Sequence, residues 1–308
     1  TICWKWSQPV SKFFQGKAVD RYIFVTICEK LGLEWDEIAS VSSLPADDAA
    51  STSEIENLVK TAREKIHNSI ARRCGVVRLL DQEQPIRLDG IYTHVNVLER
   101  VTGRRRLSIA QLHDCCQQQF ERFDLSNIYQ KRVTGLEAVE RYDKLMIWGK
   151  PGSGKTTFLK WVAIGCNLGE FRGEAVPIFI ILKEFAETRE QPRLLDYITA
   201  QFEECGVVEP QAVQTLLSQG RAILLLDGLD EVRQADLDRV LQEIRAVATR
   251  FFANSIVITC RIAAQEYTFE QFTEVEVADF DDEQIVSFAA KWFQGQDAVK
   301  GERFVQKL

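Results

Sequence analysis

The chain has 308 residues, of which 45% are hydrophobic and 27% charged. That is enough apolar material for one α/β domain and a small helical one. Lys and Arg number 38 against 45 Asp and Glu, and the net charge of −7 excludes a protein that is basic throughout. No apolar run reaches the length of a membrane span and no signal peptide is visible, so a cytoplasmic protein with no membrane partner is expected. The eight Cys contain no C-x-x-C pair: Cys115 and Cys116 adjoin, and Cys28, Cys74, Cys166 and Cys260 sit in or beside apolar runs. Reduced, mostly buried thiols are expected, not disulfides or zinc. His67, His94 and His113 are scattered and read as structural or surface residues.

In chain order, Ser7 caps a first helix with Pro9 in its opening turn. The helix runs Val10 to Gln15 and stops at Gly16. A second helix, Arg21 to Leu31, sets Phe24, Ile27, Cys28 and Leu31 on one face, and a short third runs Trp35 to Ala39. Gln8, Ser11, Lys12 and Gln15 on the first helix, with Gly16-Lys17 after it, resemble the second half of a repressor-type helix-turn-helix. That resemblance implies duplex DNA as a partner of residues 7–21, with Gln, Ser and Lys suited to base edges and phosphates. A plain helical adaptor bundle that binds protein is the other reading of the same residues. Only Thr1 to Trp6 come before, so a truncated module is expected over 1–40.

Residues 41–54 are small, polar and acidic, and read as a flexible linker. Ile55 to Ile70 has the spacing of an amphipathic helix, with Ser53 as its cap. The rest of 55–130 mixes short apolar runs, Val76 to Asp81 and Tyr92 to Leu98, with charge. It reads as a helical or mixed linker region packed on the domain C-terminal to it. Arg104-Arg105-Arg106 reads as a surface patch.

The most specific signal comes next. Gly149-Lys150-Pro151-Gly152-Ser153-Gly154-Lys155-Thr156-Thr157 contains G-x-x-x-x-G-K-T, the phosphate-binding loop. A strand-like run, Leu145 to Trp148, lies before it and a helical run, Thr157 to Cys166, after it. The glycines let backbone N–H groups turn toward phosphates, and the helix adds its positive end. Lys155 is placed to reach the terminal phosphates, and the Thr156 hydroxyl to ligate Mg²⁺.

Residues 222–231 read Ala-Ile-Leu-Leu-Leu-Asp-Gly-Leu-Asp-Glu, a buried parallel strand ending in acid. Ligands of such sheets sit at the carboxyl ends of strands, which puts Asp227 where it can hold Mg²⁺ through water. Either Asp230 or Glu231 is placed to orient or deprotonate an attacking water. About 70 residues separate this strand from the loop, room for one strand-and-helix unit. A further strand, Ser255 to Thr259, ends in Cys260-Arg261. Arg261 is either a reporter of the γ-phosphate or an ordinary surface arginine. Glu274 to Val277 alternates like a last strand, and Asp281 with Gln284 has the pattern of a capping box. Ile285, Phe288, Ala289 and Trp292 line that helix's apolar face.

The set Gly149–Thr157, Leu224 to Glu231 and Ile258 to Arg261 resembles a NACHT domain, of the STAND class of signalling P-loop NTPases, as in bacterial NLR-like proteins. Gly228 after the strand acid, with Asp230 and Glu231 beyond it, is the more particular mark. Pro177 to Leu182 is similar to the family's second strand, and Arg132 to Glu137, with Val133, to the stretch that lies against adenine. The resemblance implies an α/β fold, a three-layer P-loop NTPase with a parallel sheet flanked by helices, after an N-terminal all-helical module. The NTPase is expected over 131–280 and the start of a helical domain over 281–308. It also implies ATP or ADP with Mg²⁺ and slow hydrolysis, with Lys155, Asp230, Glu231 and Arg261 as catalytic groups. Self-association on activation is implied too, in a transcription regulator or a defence or cell-death adaptor. The absence of an Asn/Thr-Lys-x-Asp motif argues against GTP.

Overall fold

The computed structural model describes residues 46–77, 86–99, 132–209, 211–262 and 269–293. The helices expected within 7–39, the DNA candidates Gln8, Ser11, Lys12 and Lys17, and the Arg104–Arg106 patch lie outside the described residues. The chain divides into two compact units, Thr1–Glu54 and Ile55–Leu308. Of the first, only the opening turns of a helix are described.

That helix, α1 (Ala46–Cys74), is longer than its apolar spacing suggests. Val59, Ala62, Ile66, Ile70 and Cys74 recur at helical intervals and are buried. Its start at Ala46 corrects the expectation of a flexible linker from there on. Ala46, Ala49 and Ala50 are the best helix formers, and Asp47 and Asp48 favour the positive end of the helix dipole. Arg63 fixes α1 to the body of the second unit, donating to Asn167 O at 2.9 Å and Gly173 O at 2.6 Å. After α1, β1 (Val76–Val77) and β2 (Ile86–Arg87) form a two-stranded antiparallel pair, and α2 (Leu88–Ile91) comes next.

Seven strands form the main sheet. They are β3 (Asn96–Leu98), β4 (Arg132–Thr134), β5 (Lys144–Gly149), β6 (Val176–Ile181), β7 (Ala222–Asp227), β8 (Ser255–Arg261) and β9 (Thr273–Val277). Their order across the sheet is β4-β3-β9-β5-β8-β7-β6. The run from β9 to β6 is parallel, and β3 and β4 are antiparallel additions. Every residue of β7 is buried, as are Leu145 to Trp148 in β5. Continuous apolar runs of this kind are what a strand covered on both faces requires.

Helices connect these strands: α3 (Gly135–Arg141), α4 (Lys155–Leu168), α5 (Leu182–Glu187), α6 (Leu194–Glu204), α7 (Ala212–Ser218), α8 (Gln234–Arg250) and α9 (Asp282–Phe293). The expected capping box is formed. Asp281 Oδ1 accepts from the Gln284 N–H at 2.9 Å, and Gln284 Oε1 from the Asp281 N–H at 3.1 Å. Along α9, Ala289 is buried, whereas Ile285, Phe288 and Trp292 are only half-buried.

One placement departs from the sequence expectation. Local pattern puts Tyr92 to Leu98 in a linker region outside the NTPase, yet β3 belongs to the main sheet, where Val97 pairs with both Val133 and Val277. The strand expected between loop and acid is present, with helices after it. β6, the one strand between them in sequence, lies at the sheet edge, and β8 fills the gap between β5 and β7. Partner choice depends on long-range burial, which local periodicity does not encode.

One polar side chain ties the amino-terminal ends of the sheet to the helices. Asn254 is fully buried, accepts from the Ala222 N–H at 3.0 Å and donates to Leu217 O at 2.6 Å and Phe251 O at 2.9 Å. Asn254→Ala leaves the buried Ala222 N–H unmade, at about 1–3 kcal/mol, and takes one of two donors from each of the carbonyls of Leu217 and Phe251, which keep the Gly220 and residue-254 backbone N–H groups. The expected result is a loss of about 2–4 kcal/mol in denaturant unfolding at an unchanged slope; a midpoint equal to that of the parent chain would remove this role.

Candidate nucleotide-binding site

The phosphate loop leaves the carboxyl end of β5, the middle strand of the seven, and Lys155 opens α4. Gly149 has no room for a side chain: a Cβ there would lie 2.5 Å from Ser153 Oγ and 3.3 Å from Val277 Cβ. Only glycine lets strand, loop and β9 meet so closely. Gly152 and Gly154 turn the loop with φ of 77° and 84°. A Cβ on Gly152 would meet nothing within 4 Å, so the loop encloses open space at that point.

Lys155 folds onto its own loop. Its Nζ donates to Gly149 O at 3.0 Å, Lys150 O at 2.9 Å and Ser153 Oγ at 3.4 Å. Burial lowers its pKa; nearby Asp230 opposes that shift and Arg261 adds to it. Thr156, one residue on, donates to Asp227 Oδ1 at 3.1 Å. Asp227 closes β7 and is 7% exposed. The same oxygen accepts from Thr259 Oγ1 of β8 at 2.7 Å, and Thr259 Oγ1 in turn accepts from the Gly228 N–H at 2.9 Å. Burial pushes the Asp227 carboxyl above the ordinary carboxylate range, against the pull of the two threonine hydroxyls.

Gly228, with φ of 77°, turns the chain into a short 3-10 helix, Leu229–Glu231. Leu229 is buried and anchors the turn. Asp230 is 10% exposed; Oδ1 accepts from the Arg261 backbone N–H at 3.0 Å and Oδ2 lies 2.9 Å from Arg261 Nε. Glu231 is 48% exposed and lies 3.6 Å from Arg261 Nη2. The loop from Pro151 to Thr157 lines a cleft of about 220 Å³ with Asp227, Asp230, Glu231, Thr259 and Arg261.

Three other candidates do not line that cleft. Val133 is buried in β4 opposite Val97, Gly149 is packed at its strand end, and Lys150 turns out to Asp279 at 2.8 Å. The side chain that meets the loop from the amino-terminal side is Val95, with Cγ2 3.9 Å from where a Gly154 Cβ would stand. Sequence reasoning does not single out Thr259 or Val95 as site residues. Thr259 carries a signal, being two residues before Arg261 and so on the same side of a strand; Val95 carries none.

Among the described residues Cys74, Cys166 and Cys260 are buried and Cys205 is half-buried; burial pushes the thiols of Cys74 and Cys166 up to about 12. Among the described residues no group of three His, Cys, Asp or Glu could hold a metal, and no helix is long and apolar enough to cross a membrane. A hydroxyl beside a carboxylate, as in Thr156 and Asp227, is the hard-oxygen donor type that Mg²⁺ takes while keeping waters and phosphate oxygens as its remaining ligands. These residues therefore fit a Mg-nucleotide.

A central parallel strand running into a phosphate loop, with an acid-ended strand two places away, defines a P-loop NTPase. Residues 143–296, half of the chain, match the NACHT domain family, and the chain belongs to it. Two solved structures are similar over 52% of this chain. The structure of C. elegans PCH-2 is 15% identical, with a TM-score of 0.32 and 44% of its own length covered. AMPPCP-bound DnaA from Aquifex aeolicus is 16% identical, with a TM-score of 0.33 and 48% covered. The chain thus spans less than half of either. No curated protein matches it.

Asp227 gives this site a pH signature. Its folded-state pKa lies above the ordinary 3.8, so between the unfolded and folded pKa values the native protein keeps a proton that the unfolded chain has lost. The stability this group contributes is whole below the unfolded pKa and lost as pH rises through the folded one. Above the folded pKa the ionised Asp227 therefore costs the fold stability. Asp227→Asn should raise the melting temperature of the nucleotide-free protein at neutral pH, with the gain shrinking as pH falls into the carboxylate range. A lower melting temperature at neutral pH would show that the two hydroxyl bonds outweigh burial.

Proposed function

We propose that this NACHT protein is an ATP-dependent switch whose nucleotide state governs self-association. The observation that carries the reading is the meeting of Thr156 and Asp227 at 3.1 Å beneath a phosphate loop that holds Lys155 inside it. A triphosphate in the loop gives Lys155 the anionic partner that offsets its burial. The loop N–H groups and the amino terminus of α4 bind and orient the phosphates. Thr156 and Asp227 would hold Mg²⁺, which would supply neutralisation of phosphate charge when bound.

Glu231 is the carboxylate at hand to orient water. It is half exposed at the cleft wall, whereas Asp230 is engaged twice by Arg261. Arg261, at the end of β8, responds to the γ-phosphate. In this reading the ADP form is closed, exchange for ATP opens it to self-association, and slow hydrolysis resets it.

Lys155→Ala should weaken ATP and ADP alike by about tenfold or more, the loss of a charge-assisted contact. Calorimetry with unchanged affinities would reject the site. Glu231→Gln should keep Mg-ATP affinity and lose hydrolysis; retained turnover would remove its role with water. Light scattering of the chain with ADP and with a non-hydrolysable ATP analogue tests the switch, with a larger particle expected for the analogue. Equal masses would leave a nucleotide-binding domain without the proposed output.

A further inference from the structure

Asp230 and Glu231 are neighbours in sequence and differ in almost every physical respect. Asp230 is 10% exposed on its side chain and Glu231 48%. Both oxygens of Asp230 are committed to one residue: Oδ1 to the Arg261 backbone N–H at 3.0 Å and Oδ2 to the guanidinium Nε at 2.9 Å. Glu231 reaches the same guanidinium only at Nη2, 3.6 Å away. A carboxylate gripped on both oxygens and nearly closed to solvent is a poor base for water. It is a good clamp for an arginine, because the planar fork is fixed once Nε is fixed.

We infer that Asp230 is a positioning residue for Arg261: it fixes the end of β8 and sets the guanidinium side-on, so that its free edge faces the phosphate cleft. The geometry explains why the acid sits three residues after Asp227. The left-handed turn at Gly228 and the buried Leu229 bring position 230 over the end of β8. Because β8 lies between β5 and β7, an arginine at its end stands between the phosphate loop and the acidic turn. Nη1 of Arg261 has no partner among the described residues. Asp230 and Arg261 both act electrostatically on Lys155, with opposite sign. An Arg261 set loose would bring its charge to bear on Lys155 without the compensating carboxylate.

This inference rests on the nucleotide-binding reading for its functional consequence, but not for the clamp itself. The test accordingly has one arm with nucleotide and one without. In the nucleotide-free chain, the Arg261 Nε–H should exchange slowly with water by NMR, and Asp230→Asn should speed that exchange while Glu231→Gln leaves it slow. Equal exchange in the parent and Asp230→Asn would overturn the clamp.

With nucleotide, Asp230→Asn and Arg261→Ala should each reduce the preference for ATP over ADP by about tenfold, the loss expected of a charge-assisted contact. The double change should be no worse than either alone, since both remove one device. If Asp230 activated water instead, Asp230→Asn would abolish hydrolysis with the ATP-to-ADP ratio intact, and its effect would add to that of Arg261→Ala. Lys155→Ala run alongside separates the two ideas: undiminished nucleotide affinity there rejects the binding site whatever the exchange experiment gives.

Discussion

Two hydroxyls from different elements converge on one carboxylate oxygen, and the site hangs on that meeting. Thr156 at the start of α4 and Thr259 near the end of β8 both donate to Asp227 Oδ1. The contact requires β8 to stand between the strand of the loop and the strand of the acid, as it does. It also requires the phosphate loop to deliver α4 at the right height, which the close packing at Gly149 secures. Burial works against the charge of this carboxylate, and the two hydroxyls work for it. Its two donors come from different parts of the chain, and one of them, the Thr259 hydroxyl, accepts in turn from the Gly228 N–H.

Much of this is legible in the sequence. The loop, its strand and its helix are local features with a spacing set by phosphate chemistry, and β5 and α4 fall where that spacing requires. The acid-ended run of β7 and the Asp281–Gln284 capping box are equally local. What local pattern does not reveal is adjacency. The sheet inserts β8 between β5 and β7, sends β6 to the edge, and recruits β3 from a segment that reads as linker. The roles of Thr259 and Val95 depend on those neighbours. The difference in setting between Asp230 and Glu231 is likewise hidden, because two adjacent acids look alike until one is found nearly closed to solvent against Arg261.

The family assignment and the geometry reach the same class by separate routes. The NACHT match spans residues 143–296 and therefore leaves out α1, β3, β4 and α3. Yet β3 and β4 extend the same sheet, and Val95, just before β3, stands 3.9 Å from where a Cβ on Gly154 would be. The structural unit that supports the loop is larger than the segment that carries the recognisable motifs. Arg63 makes the same point from the other end of α4, where it holds the carbonyl of Asn167.

The inward fold of Lys155 has a thermodynamic meaning. Its ammonium already satisfies itself on two carbonyls and a hydroxyl of the loop that it will serve. An arriving phosphate therefore does not fill a vacant donor; it competes with acceptors already in place. Binding becomes an exchange of one set of hydrogen bonds for another, and its net gain is the difference between them rather than the strength of the new ones.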